Sequence, residues 1–354
     1  MARVVVAGAG AIGASVAYHL ALLGADDVVL ADSGDVAGGA TAKAMGGVRQ
    51  QFSTAAEVRL AQASIRFFEE LGAAFFQQVG YLFLATTEAG LAELEKRHAV
   101  QSELGVPVEQ IDAARLGALV PGLETADVLG GVYCAEDGTA IPGDVTRELV
   151  GRAAALGVEV RERTNALGLD RDVLVVACGP SSGRVAAQLG VELPIRPLCR
   201  QLVRTTPVAA LVDPLPMIVE SETGFHFRRR DDALVLAMSE PTPRWGFDEG
   251  VDDELAADWL GRLHRRFPVA AGAQIETAWA GLYDMTPDAH PIVGFVGEGV
   301  YAACGFSGHG FMQSPAVGRG AAEEILGLTP SLDLSPYRLE RFAAGEVFPE
   351  RVVL

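Results

Sequence analysis

The chain has 354 residues, 49% of them hydrophobic and 21% charged, so general disorder is excluded and a folded protein of about two domains is expected. Its 46 acidic and 28 basic residues give a formal net charge of −18. Because binding to phosphate backbones or anionic lipids needs a basic surface, this balance argues against nucleic acid and membranes as partners.

The cysteines are spaced too widely for a zinc site or a disulfide scaffold. We interpret them as small buried side chains of a cytoplasmic protein, and no metal-ligand spacing is present elsewhere. The four cysteines are Cys134, Cys178, Cys199 and Cys304.

The first elements in chain order are typical of a βαβ unit. Val4–Ala7 and Val28–Ala31 are continuous apolar runs, which indicate buried parallel strands. The intervening 11–23 is predicted as a helix that stops at Gly24. The uncharged stretch 4–25 resembles a membrane span in hydropathy, but four glycines interrupt it, so we predict a strand–turn–helix and no span.

The later elements alternate between helices and short strands. The segment 33–51 is predicted to be irregular, and 194–240 alternates polar and apolar residues as in an antiparallel sheet. Thr54 and Glu57 form a capping box before a helix that ends at Gly72. Further helices are predicted at 88–104, 144–156, 252–267 and 313–326, and further strands at 79–85, 131–134, 158–161, 173–177 and 300–304.

The strongest local motif is the glycine-rich sequence Gly8-Ala9-Gly10-Ala11-Ile12-Gly13, which follows a predicted strand and opens a helix. Gly8 allows a tight turn, Gly10 lets the backbone approach a pyrophosphate, and Gly13 allows the helix to pack closely on the strand. Asp32, at the end of the next predicted strand, can accept hydrogen bonds from a ribose diol. NAD and FAD both carry that ribose, so this motif leaves the two cofactors open.

A second glycine-rich turn, within Cys304–Gly318, also joins a predicted strand to a predicted helix. The helix N-terminus forms a second positive pole. A nicotinamide cofactor does not need this pole, whereas a reduced flavin carries negative charge that backbone N–H groups there would stabilise. The second turn therefore favours a flavin.

Four motifs occur in one order along the chain: Gly8–Gly13, Gly46–Phe52, Thr286–Gly294 and Gly305–Pro315. Together they resemble the D-amino-acid-oxidase superfamily of FAD-dependent amine oxidoreductases. Within it, the chain is most similar to the group of the sarcosine oxidase β-subunit, glycine oxidase and dye-linked proline dehydrogenase.

The resemblance implies an α/β fold with two domains. A Rossmann-like FAD-binding domain would be assembled from the discontinuous segments 1–78, 143–193 and 288–330. An inserted, antiparallel β-rich substrate domain would comprise 79–142 and 194–287, and 331–354 would form a C-terminal tail.

The resemblance also implies the site residues. Arg49 matches an arginine that pairs with the substrate carboxylate, and Tyr283 matches an active-site tyrosine. Gly281 stands where some relatives have a cysteine linked to the flavin, so non-covalent FAD is expected. The positions implied to contact the cofactor are Gly8, Gly10, Ala11, Ile12, Gly13, Asp32, Thr41, Gly46, Gly47, Ala166, Ala177, Gly179, Gly281, Gly308, His309, Gly310, Phe311 and Met312.

These observations predict an FAD enzyme that oxidises the C–N bond of a small amino acid or N-alkyl amino acid by hydride transfer to flavin N5. One alternative is a flavin-binding subunit of a multi-chain amine dehydrogenase. Another is an NAD-dependent dehydrogenase, against which the second turn argues. The substrate, the oligomeric state, the electron acceptor or partner subunit, and the role of Lys43 stay open.

Overall fold

The computed structural model describes residues 2–350 and 352–354. The strands are β1 (Val4–Ala7), β2 (Val28–Ala31), β3 (Gly47–Val48), β4 (Phe76–Gln77), β5 (Tyr81–Ala85), β6 (Val108–Ile111), β7 (Gly130–Cys134), β8 (Gly138–Ala140), β9 (Glu159–Arg161), β10 (Val173–Val176), β11 (Arg196–Thr205), β12 (Met217–Glu220), β13 (His226–Arg230), β14 (Ala233–Ala237), β15 (Ile275–Met285), β16 (Ile292–Gly297) and β17 (Val300–Cys304). The α-helices are α1 (Ala11–Leu22), α2 (Ala40–Lys43), α3 (Ala55–Leu71), α4 (Glu88–Glu103), α5 (Ala113–Leu119), α6 (Pro142–Ala155), α7 (Ser182–Ala187), α8 (Asp253–Arg266), α9 (Gly310–Ile325) and α10 (Arg341–Ala344).

A six-stranded sheet has the order β16-β17-β10-β1-β2-β9. Its pairs are parallel except β16–β17, which is antiparallel. β1, β2 and β17 are buried along their whole length, which explains why they read as uninterrupted apolar runs. Residues of α1, α3, α6 and α9 share one hydrophobic cluster with this sheet.

An eight-stranded sheet has the order β15-β11-β14-β13-β12-β5-β7-β6. It is antiparallel apart from the pair β12–β5. The amphipathic helix α8 covers part of it, and the Trp259 and Leu263 side chains are fully buried in that contact. Asp252 caps α8 by accepting hydrogen bonds from two backbone N–H groups of the first turn. A third sheet has three strands in the order β3-β8-β4.

The start of α3 and the stretch 33–51 differ in detail from the prediction. Thr54 caps α3 as expected, accepting from the Glu57 N–H. The Glu57 side chain does not complete the capping box, because it is buried and accepts hydrogen bonds from His290 and Gln313. In addition, the stretch 33–51, predicted to be irregular, contains α2 and β3.

Helix α9 begins at Gly310, earlier than the predicted start at Gln313, and runs through Pro315. Proline has no N–H to donate to the carbonyl four residues before it, here that of Phe311. The Ser314 hydroxyl donates to that carbonyl at 2.9 Å instead. This local replacement lets the helix include a proline in its second turn.

In the part of the chain that the structure describes, no helix combines the length and the hydropathy required to cross a bilayer. The uncharged stretch at the start of the chain is β1, a turn and α1, as predicted.

Candidate active site

A cavity of about 510 Å³ lies where the carboxyl ends of the parallel strands face the eight-stranded sheet. Ala7, Ala31 and Ala303 line it from the ends of β1, β2 and β17. Leu202 and His226 line it from β11 and β13. Ligands of doubly wound sheets bind at this carboxyl edge, so the cavity is the candidate site.

The turn between β1 and α1 is closely packed. Gly8 has a φ of +105°, and a Cβ there would collide with the carbonyl group of Ala177. A Cβ on Gly13 would collide with the Gly8 carbonyl oxygen. Gly13 therefore permits the close approach of α1 to β1, as the motif predicts, and it is the one predicted cofactor residue that does not line the cavity.

Asp32 is fixed at the end of β2. Its two carboxylate oxygens accept hydrogen bonds of 2.7 Å from the Ala9 and Gly34 backbone N–H groups. The carboxylate lines the cavity, and its remaining lone pairs are suited to a ribose diol. Ala166 and Leu167 line the same end with apolar surface that fits a purine ring.

The second glycine-rich turn brings α9 to the cavity. Gly308 has a φ of +95°, and a Cβ there would collide with the Tyr283 ring, so this position requires glycine. No side chain caps the N-terminus of α9, whose first residues line the cavity. The uncapped N–H groups and the helix dipole suit the negative pole of a reduced flavin.

Apart from Gly13, every residue that the sequence assigned to the site lines this one cavity. They are Gly8, Gly10, Ala11, Ile12, Asp32, Thr41, Gly46, Gly47, Arg49, Ala166, Ala177, Gly179, Gly281, Tyr283, Gly308, His309, Gly310, Phe311 and Met312. Among the further lining residues that no sequence motif marks are Arg200, His226 and Leu354.

The Arg49 guanidinium is buried, with 1% of the residue exposed. It donates to the carbonyl oxygens of Gln51 and Val352, the latter at 2.9 Å, and lies 4.0 Å from the centre of the Phe52 ring. Its Nε has no hydrogen-bond partner. Arg49 forms no ion pair with any residue in 2–350 and 352–354, so it is a buried cation held by main-chain carbonyls.

Tyr283 donates its hydroxyl proton to a main-chain oxygen of Leu354 at 2.8 Å. Burial raises the pKa of this hydroxyl, although the nearby Arg200 and Arg49 oppose the shift. Tyr283 is therefore neutral at pH 7 and acts as a hydrogen-bond donor.

Residues 346–350 and 352–354, here called the wall segment, lead to Leu354, which lines the cavity. The Phe348 ring stacks on His290 at 4.0 Å, and the Phe348 carbonyl contacts His290 Nε2 at 2.5 Å. Beyond this anchor, Glu350 N–H donates to the Asp288 carbonyl at 3.1 Å. The Val352 carbonyl then accepts from Arg49 and His309.

Two buried histidines of the cavity stay neutral at pH 7. Burial, together with the nearby Arg200 and Arg49, lowers the pKa of His226 to about 4. Burial and Arg49 lower the pKa of His309 to about 3. Neither imidazole therefore carries a positive charge that could hold an anion.

Lys43 lies beside Gly281 on the cavity wall. It forms an ion pair with Glu249, and its carbonyl accepts from Trp279 Nε1 at 3.0 Å. A Cβ on Gly281 would lie 3.0 Å from the Lys43 Cβ, so a larger residue at 281 would require α2 to shift.

Comparisons with known proteins agree with this geometry. The model of the DAO family, described as FAD dependent oxidoreductase, matches residues 3–324. The chain is 28% identical to 4-methylaminobutanoate oxidase (formaldehyde-forming) of Paenarthrobacter nicotinovorans, covering 97% of this chain and 46% of that protein. It is 25% identical to glycine oxidase of Geobacillus kaustophilus, covering 96% of each.

Among solved structures, L-proline dehydrogenase from P. horikoshii matches with a TM-score of 0.90 at 26% identity, covering 98% of this chain and 99% of that one. Glycine oxidase from Geobacillus kaustophilus matches with a TM-score of 0.86 at 23% identity, covering 96% and 99%. The chain spans less than half the length of the curated relatives that it matches first.

Proposed function

We propose that this chain oxidises the C–N bond of a small amino acid or N-alkyl amino acid. The chain belongs to the DAO family of FAD-dependent oxidoreductases. Family membership confirms FAD as the cofactor and sets aside the NAD-dependent alternative. The substrate class is our proposal, and it depends on the charges at the α9 end of the cavity.

The polar groups that line the cavity are suited to binding FAD. Asp32 would hold the adenosine ribose, the N-terminus of α1 would face the pyrophosphate, and the N-terminus of α9 would face the flavin ring. When bound, FAD supplies a two-electron acceptor for the hydride that leaves the α-carbon of the amine. The protein supplies binding, orientation and charge.

The observation that carries the proposal is the buried Arg49, whose guanidinium forms no ion pair with a carboxylate of the described residues. A carboxylate of the substrate would complete its coordination through charge-assisted hydrogen bonds. The Tyr283 hydroxyl already donates its single proton to a main-chain oxygen of Leu354, so the proposal depends on Arg49 as the donor.

The same charges favour the reactive state of the amine. Arg49 and Arg200 lie close enough to lower the pKa of His226, and they would lower the pKa of a bound ammonium group in the same way. The neutral amine can release a hydride from its α-carbon, whereas the ammonium form cannot. A strong side-chain base is therefore not required, and water hydrolyses the product imine.

The direct experiment is anaerobic bleaching of the flavin absorbance by candidate amines. We expect reduction by some members of a panel of sarcosine, glycine, proline and both enantiomers of common amino acids. The matched amines without a carboxylate, such as dimethylamine and pyrrolidine, should react far more slowly. Equal rates for the two sets would contradict carboxylate recognition.

We expect Arg49→Ala to lower kcat/KM about 10- to 150-fold, which corresponds to about 1.5–3 kcal/mol for a charge-assisted hydrogen bond. FAD content should stay normal. Arg97→Ala is the matched control, because Arg97 is also buried and lies 4.9 Å from the Phe83 ring, but does not line the cavity. Equal losses in both variants would show that Arg49 has a structural role.

A flavin-binding subunit that works with partner chains is the second candidate. It is favoured by the first curated relatives, which carry further segments beyond the region that matches this chain. Size-exclusion chromatography and an amine turnover assay of the purified chain test it. Reduction by substrate without any partner would support a self-sufficient catalytic chain.

A further inference from the structure

Arg200 is a cation of the cavity that the function proposed above leaves without an anionic partner. It lies on β11 directly opposite Gly281 of β15. Opposed residues of an antiparallel pair point to the same face, and side chains two apart along a strand share that face. Arg200 therefore points to the same side as Tyr283, and its guanidinium carbon is 5.7 Å from the centre of the Tyr283 ring.

The Nε–H group of Arg200 is unsatisfied. Within residues 2–350 and 352–354, its side chain forms no ion pair and no hydrogen bond, and its Nε is shielded from solvent without a partner. A shielded donor without an acceptor destabilises the folded protein. Such a position in a ligand cavity indicates that the acceptor comes from the ligand.

None of the side-chain carboxylates that line the cavity forms an ion pair with Arg200 in the described residues. Glu249 is paired with Lys43. The Asp32 carboxylate accepts two backbone N–H groups. Asp284 accepts from the Gly305 N–H at 2.7 Å, and burial raises its pKa to about 6.

We propose that Arg200 binds a second carboxylate of the substrate, so that the preferred substrates are amines with two carboxylates rather than one. The inference depends on the proposed amine oxidation and names its substrate class. A monocarboxylate satisfies one of the two guanidiniums, Arg49 or Arg200, and leaves the other unpaired. A dicarboxylate pairs both, and a planar guanidinium can bind a carboxylate through two parallel hydrogen bonds.

The test compares two substrate sets on the FAD-loaded protein. Iminodiacetate, aspartate and glutamate represent the dicarboxylates, and sarcosine, glycine and proline the monocarboxylates. We expect wild-type kcat/KM to be at least about tenfold higher for the best dicarboxylate than for the best monocarboxylate. Arg200→Gln should abolish this difference, mainly through a higher KM for the dicarboxylate, and Arg200→Lys should retain part of it.

Arg196→Gln is the matched control, because Arg196 lies on the same strand, is exposed and does not line the cavity. It should keep the wild-type preference. A wild type that oxidises monocarboxylates equally well, or an Arg200→Gln variant that loses activity alike on both sets, would overturn the proposal.

Ligand binding without turnover separates this inference from the proposed function. Malonate, succinate and glutarate should perturb the flavin absorbance of the wild type at lower concentrations than acetate or propionate, and this advantage should vanish in Arg200→Gln. If no amine reduces the flavin, the proposed oxidation fails, and the titration alone still decides whether Arg200 binds a second carboxylate. Equal dissociation constants for both acid classes in the wild type would refute that binding.

Discussion

Main-chain atoms hold several side chains of the cavity in place. Arg49 and His309 both bond the Val352 carbonyl, and His226 bonds the Gly224 carbonyl at 2.7 Å through Nδ1. A carbonyl oxygen accepts a hydrogen bond without adding a full negative charge. These residues therefore keep their orientation, and the Arg49 guanidinium keeps a net positive charge that can attract a substrate carboxylate.

At the residue scale, His226 gives a prediction about pH. Its pKa in the folded protein is about 4, below the ordinary value of 6.5, so the unfolded chain takes up the proton first as the pH falls. The contribution of this histidine to stability is therefore present above pH 6.5 and is lost progressively toward pH 4, with an upper limit of about 3 kcal/mol.

We expect His226→Asn to reduce this loss, because the asparagine amide can replace Nδ1 as the donor to Gly224 and does not titrate. The free energy of unfolding in urea, measured with excess FAD from pH 7.5 to 4.5, should fall less for the variant than for the wild type. His98→Asn is the control, since His98 is half-buried on α4 outside the cavity. Parallel curves for wild type and His226→Asn would contradict the prediction.

At the scale of elements, two strand–turn–helix units and the wall segment together define the cavity. The units place the N-termini of α1 and α9 on it. The wall segment supplies main-chain oxygens that hold the Arg49 and Tyr283 side chains. The segment is fixed by two contacts of His290. The His290 side chain forms a hydrogen bond with Glu57, and its ring stacks on the Phe348 ring. Although burial lowers the pKa of His290, the hydrogen bond to Glu57 raises it above the ordinary value.

We expect Phe348→Ala to loosen the wall segment. Removing the ring deletes its stacking on His290, a contact of about 0.5–1.5 kcal/mol, so the Val352 carbonyl would be held less firmly. Proteolysis of the segment should become faster, and kcat/KM should fall several-fold while FAD content stays unchanged. Val347→Ala, at an exposed neighbouring position, is the control. Faster proteolysis with unchanged kcat/KM would show that the segment does not position the site.

At the scale of the whole molecule, the cavity exists because two sheets meet. The six-stranded sheet supplies the dinucleotide-binding edge, and the eight-stranded sheet supplies Arg200, His226 and Tyr283. The division of the chain into the discontinuous domain segments given above remains a prediction. The strands of each large sheet come from the segments assigned to one domain.

We predict that FAD is bound non-covalently. Of the four cysteines, Cys178 is the one that lines the cavity. Its thiol donates to the Ala7 carbonyl at 3.3 Å, and burial raises its pKa to about 12, so the reactive thiolate is absent at pH 7. Gly281 offers no side chain for attachment. Acid precipitation should leave a colourless pellet and a yellow supernatant, and a pellet that stays yellow would contradict the prediction.

The sequence by itself determined the fold class, the cofactor and part of the cavity lining, through two glycine-rich turns and the family resemblance. The turns depend on local geometry, because a glycine-rich turn between a buried strand and a helix creates an anion site wherever it occurs. Asp32 was predictable for the same reason, since it ends the strand next to the first turn.

Only the tertiary structure decided how Arg200 and the wall segment contribute to the cavity. Arg200 reaches the cavity through the register of β11 against β15, which no local motif encodes. The Val352 carbonyl meets Arg49 across 303 positions of sequence, in a contact that depends on the path of the whole chain. Local residue patterns determine backbone turns and helix poles, whereas the side chains that complete a cavity are brought together by packing between distant segments.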